Sequence, residues 1–129
     1  MGMTYRQGPD VDSVLIVCEG PTTAGVLVES MARWSKDGLF DDHPYILVDA
    51  RNMEVAFTGE ELRAGIQAVL RPIVFRHRLR IGIVVETLVQ FGSARQFQVF
   101  FSGFGDIGVF QDPASACRWV NSFKVPALC

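Results

Sequence analysis

The chain has little of what marks the most easily read functions. Its 129 residues include three cysteines and two histidines. The cysteines, Cys18, Cys117 and Cys129, are odd in number and form no Cys-x-x-Cys, which argues against a disulfide framework or a zinc site. His43 and His77 have no second ligand at metal spacing, so neither a metal nor a cofactor is predicted. Charge of one sign is scarce: the net charge is −2, and no basic field is present to attract nucleic acid or an anionic membrane. Long apolar runs are missing too. Val14-Leu15-Ile16-Val17-Cys18 falls far short of the roughly 18 residues a membrane span needs. Met1-Gly2-Met3-Thr4-Tyr5-Arg6 lacks the charged start and apolar run of a signal peptide, and Arg6 does not fit a myristoylation motif. Together these absences predict a cytoplasmic protein with reduced thiols.

What is present suits a globular domain. Hydrophobic residues make up 49% and charged residues 20% of the chain, and its length fits one domain over residues 1–129 with a sizeable core. A first strand is predicted over Met3–Gln7, closed by Gly8-Pro9-Asp10. Ser13–Cys18 reads as a buried strand broken by Gly20-Pro21. Thr22 or Thr23 then caps a helix to about Lys36, closed by Gly38. Tyr45–Asp49 and Arg80–Val85 read as further buried strands. Thr58-x-x-Glu61 and Thr87-x-x-Gln90 are capping boxes, each opening a helix. The first of these helices carries Leu62, Ile66, Val69 and Ile73 on one face and is kinked or ended by Pro72. The second is rich in phenylalanine and runs to about Phe101. A short strand, Ile107–Phe110, precedes Asp112-Pro113, an N-cap with proline at the first helical position. Ala116, Trp119, Val120 and Phe123 form that last helix's buried face.

The order β-β-α-β-α-β-α-β-α predicts an α/β fold with a mostly parallel sheet and an antiparallel N-terminal edge strand. Three stretches carry a family likeness: Tyr45 to Arg51; Ile83-Val84-Val85 through Gln90 to Phe97; and Val109 to Pro113 running into Ala116 and Trp119. In this order they resemble the STAS domain, and within it the small stand-alone SpoIIAA-like bacterial proteins. The resemblance implies a non-enzymatic module that regulates by protein–protein interaction. In regulatory members, a Ser or Thr opening the helix after the Val-Asp strand is phosphorylated by a partner kinase. Thr58 occupies roughly that place, but Phe57 stands where the family has an acid, and Glu60 and Glu61 follow. A phosphate there would meet like charge, and helix capping alone accounts for the threonine.

No catalytic constellation emerges. Gly103-Phe104-Gly105-Asp106-Ile107-Gly108 spells G-x-G-x-x-G, but it follows a helix and precedes a strand, the reverse of a dinucleotide site. Ser93 lies within a predicted helix and lacks the second glycine of a nucleophile elbow. The basic run Arg76–Arg80 and the acidic pair Asp41-Asp42 read as solvated turns. Because open parallel sheets bind ligands beyond the carboxyl ends of their strands, the candidate binding residues are Asp49, Arg51, Asn52, Thr58, Thr87 and Gln90, with Glu19 and Glu86 on the same edge. The apolar arc of the phenylalanine-rich helix is wider than one sheet requires. It predicts a homodimer through Phe91, Phe100 or Phe104. Two functions follow: a module acting on a protein partner, or a carrier or sensor of a small apolar ligand held near the phenylalanine-rich helix.

Overall fold

The computed structural model describes residues 2–8 and 12–120. Pro9, Asp10, Phe123 and Cys129 therefore lie outside the described residues. Five strands form one sheet: β1 (Gly2–Gln7), β2 (Ser13–Thr22), β3 (Tyr45–Val55), β4 (Leu79–Val84) and β5 (Gly105–Phe110). They lie side by side in chain order. As expected, β1 pairs antiparallel with β2 while β2–β3, β3–β4 and β4–β5 are parallel. Each parallel pair needs a crossover. The helices α1 (Ala24–Lys36), α3 (Gly59–Gly65) and α4 (Leu88–Phe100) supply these, and α5 (Pro113–Val120) ends the described chain. No described helix is long and apolar enough to cross a membrane.

The sheet's two faces are covered differently. Alternate residues point to opposite faces of a strand. Val14, Ile16 and Cys18 of β2, Ile46 and Ala50 of β3, and Ile81 and Ile83 of β4 are buried in one core with Val28, Met31 and Trp34 of α1, Leu62 of α3, and Ala94 and Phe97 of α4. On the reverse face α5 lies against β3, β4 and β5. Gly82 and Gly108 make room for it: a Cβ at Gly82 would come within 2.7 Å of Val120. Arg80 secures the same helix. Its guanidinium stacks 3.8 Å from the Trp119 ring centre and its Nε donates to the Trp119 carbonyl.

Local chemistry sets the helix ends. Thr23, not Thr22, caps α1, accepting from the Val26 N–H at 3.2 Å. Both capping boxes form: Thr58 with Glu61, and Thr87 with Gln90. Asp112 accepts from the Ser115 N–H at 3.0 Å ahead of Pro113. At the far end of α1 the chain turns at Gly38, whose φ of 84° is open to glycine at little cost.

Three expectations are corrected. Gly20-Pro21 does not break β2, which continues to Thr22, and β3 continues to Val55. The reason is pairing. The β1 register ends at Glu19, so Pro21 faces a partner only on the β3 side, and an edge strand tolerates proline. Asp41-Asp42 is not a plain turn but the end of a short helix, α2 (Leu39–Asp42), and Asp41 accepts from the Arg76 N–H. The helix after Thr58 ends just ahead of Pro72, as expected, and does so through a π-helical turn, Ile66–Leu70. Finally, Cys117 is disulfide-bonded, which corrects the expectation of reduced thiols. Spacing in sequence does not reveal which cysteines the fold brings together.

Candidate functional site

The candidate binding residues separate into distinct groups in the structure. Asp49 and Arg51 project from one side of β3, two residues apart, and form a bidentate ion pair, with Nη2 to Oδ2 at 2.9 Å and Nε to Oδ1 at 3.0 Å. Hydrogen bonds from Arg51 hold the Asp49 carboxyl below the usual range for an aspartate, against a smaller opposing effect of burial. Each of these charges is thus already satisfied by the other. Asn52 is exposed on the same strand. Asp49 also lines a shallow cleft of about 360 Å³ with Thr4, Arg6, Val17 and Glu19.

Thr58 and Thr87 are exposed, and their hydroxyls accept from the N–H groups of Glu61 and Gln90. Gln90 is buried, with 4% of its surface exposed. Its Oε1 accepts from the N–H groups of Glu86 and Thr87. Its Nε2 donates to the carbonyls of Arg51 and Met53. An amide side chain offers two donors and one oxygen with two lone pairs, so Gln90 is fully used. It is a strut between α4 and β3 and has nothing left for a ligand.

A smaller but more enclosed and wholly apolar feature lies elsewhere. A cavity of about 60 Å³ sits between the sheet and the helical layer. Its floor is Ile16 and Cys18 of β2, Ile46, Val48 and Ala50 of β3, and Ile81, Ile83 and Val85 on and just after β4. Leu27 and Met31 of α1 close one side; Ser93, Ala94 and Phe97 of α4 close the other; Met3 and Met53 complete the wall. Val48 is in the central strand and yet is only half-buried, as are Leu27, Met53 and Ser93. The space therefore communicates with solvent. Burial pushes the Cys18 thiol up to about 12, with Asp49 adding a smaller effect in the same direction. Cys18 is a neutral wall group, not a nucleophile.

Sequence reasoning placed its candidate binding residues at the sheet's carboxyl edge; only its alternative, an apolar ligand near the phenylalanine-rich helix, lies on the side of this cavity. That rule applies where strand order reverses and two crossovers leave in opposite directions. Here strand order follows chain order, so no reversal opens a crevice at the edge. The signal available in sequence was the small or flexible residues at positions of the strands and helices that face one another: Cys18, Ala50 and Met53 on the sheet, Met31, Ser93 and Ala94 on the helices.

The phenylalanines divide. Phe97 and Phe101 are buried and stacked with centroids 5.0 Å apart. Phe104 packs on Phe75 and Phe101, and Phe100 also lies against the core. Of the three residues expected at an interface, only Phe91 is exposed, at 36%. It shares the start of α4 with Leu88 and Val89, which are 86% and 65% exposed. Among the described residues no group of three or more His, Cys, Asp or Glu side chains is placed to hold a metal ion. The G-x-G-x-x-G run forms the turn after α4 and then β5.

Neither a family model nor any curated protein sequence matches the chain. A solved structure does. It is an uncharacterized protein of the DUF3478 family with a SpoIIAA-like fold, from Shewanella loihica PV-4. The similarity covers 92% of this chain and 94% of that one, with a TM-score of 0.59 and 16% identity. The fold is therefore SpoIIAA-like.

Proposed function

We propose that this SpoIIAA-like domain is a non-enzymatic binding module that holds a small apolar ligand between its sheet and helices α1 and α4. The observation that carries this reading is the cavity, whose walls are almost wholly hydrocarbon and sulfur and whose floor reaches solvent at Val48. Close-packed interiors leave few voids, and a dry apolar void is a ready site for an apolar molecule. Methionines suit such a wall because their flexible thioethers repack around different shapes. Three of the chain's four methionines, Met3, Met31 and Met53, line it.

The same three methionines supply the test. Protein carrying ¹³C-methyl methionine is titrated with n-hexane and followed by NMR. The Met31 and Met53 methyl signals are expected to shift and saturate, and Ala94→Leu or Ala50→Val, each filling the space, is expected to abolish the shift. No shift at the solubility limit of hexane in the wild-type protein would overturn the reading.

A second reading, action on a protein partner, is favoured by the exposed Leu88, Val89 and Phe91. Soluble proteins seldom leave clustered large apolar side chains open without use. A second copy of the chain at this turn is the simplest such partner. Sedimentation equilibrium tests it: a dimer that Leu88→Lys dissociates supports it, and a monomer at concentrations on the order of tens of micromolar rules it out.

A further inference from the structure

Resting on the apolar-ligand reading, we infer that the cavity selects an uncharged aliphatic chain of about six carbons and rejects ionised head groups. The size follows from volume. A water needs roughly 10–15 Å³ on this measure, so about 60 Å³ takes on the order of four to six heavy atoms.

The charge selection follows from what the walls lack. No Lys, Arg, His, Asp or Glu contributes to the lining. The nearest opposite-charge pair, Asp49 with Arg51, lies on the other side of β3 and is closed on itself. A carboxylate drawn into this space would lose its hydration and find no cation, which is costly far beyond the loss of a single neutral hydrogen bond. Cys18 is the only lining side chain that titrates. It stays neutral below about 12, so the walls carry no charge of their own over the accessible pH range.

The polar residues on the lining add nothing for a ligand to bond. Gln90 and Ser93 border the cavity, but neither turns a polar atom to it. Gln90 spends both donors and both lone pairs on the main chain.

The experiment uses the same ¹³C-methyl methionine signals with three six-carbon probes: n-hexane, 1-hexanol and hexanoate. At pH 7 hexanol is expected to bind at least tenfold more tightly than hexanoate. As pH falls below about 4.5, where a carboxylic acid takes up its proton, binding of the hexanoic acid form is expected to appear. Equal binding of hexanol and hexanoate at pH 7 overturns the inference while the apolar-ligand reading stands. Failure of hexane itself to bind removes the reading on which the inference rests.

Discussion

The side-chain amide of Gln90 donates to the main-chain carbonyl of Met53 at 2.8 Å. That bond ties the first turn of α4 to the end of β3 beside the cavity. The same side chain serves the capping box, the Arg51 carbonyl and the Glu86 N–H. Replacing it strands two donors and two acceptors at once, some within reach of water and some not. Gln90→Ala is expected to cost about 2–3 kcal/mol, measured as a shift of the urea midpoint. A loss below about 0.5 kcal/mol would contradict its role as a strut.

Thr58 makes a smaller, local contribution. Its hydroxyl accepts from the Glu61 N–H at 3.1 Å, and the Glu61 carboxylate accepts from the Thr58 N–H at 2.8 Å. Thr58→Ala is expected to lower stability by about 1 kcal/mol. An unchanged denaturation midpoint would contradict the capping account.

The glycines give opposite outcomes by position. A Cβ at Gly105 would lie 2.1 Å from the Leu79 carbonyl oxygen, where backbone must move and the β4–β5 pairing with it. Gly105→Ala is expected to cost roughly 3 kcal/mol or more. At Gly92, inside α4 and exposed, a Cβ meets nothing within 4 Å. Gly92→Ala is expected to stabilise by about 0.5–1 kcal/mol. Thermal melts of the two variants should move in opposite directions.

Two ionisable groups set different pH limits. Asp49 has a depressed pKa through Arg51. Its stabilisation is present above the ordinary carboxylate value of 3.8 and is lost as pH falls below it. The pair is partly exposed, so Asp49→Asn is expected to cost no more than about 1 kcal/mol at pH 7, and the cost is expected to shrink as acid protonates the carboxyl. Cys18 is the reverse case. Its folded pKa, about 12, lies above the ordinary 9.0, so the stability it protects is complete below pH 9 and is lost as pH rises toward 12. At pH 8 iodoacetamide is expected to leave Cys18 unmodified in the native protein and to label it in urea, read by peptide mass spectrometry.

The parts of the fold that sequence announces are those set by neighbours in the chain. Runs such as Val14–Cys18 and Tyr45–Asp49 are strands because they are apolar and largely β-branched. The two capping boxes mark α3 and α4 because their reciprocal bonds span three residues. The extension of β2 through Pro21 was hidden because it depends on which side of the strand lacks a partner. Gln90 was legible as a cap but not as a strut, since its other two bonds reach residues 39 and 37 positions away. The cavity was hidden for a related reason. It is a space between α1, α4 and the sheet, and no single side chain encodes it.

The sheet's strand order has a kinetic meaning. Each strand pairs with the next in the chain, so no pairing waits for a distant segment to thread between two formed neighbours. Loop-closure entropy then favours growth of the sheet one crossover at a time, with the β1–β2 hairpin and its β3 neighbour able to assemble before β5 is available. Pulse-labelled hydrogen exchange during refolding is expected to find β2 and β3 protected no later than β5. Chain order laid out as strand order makes this a domain that can be built from one edge to the other.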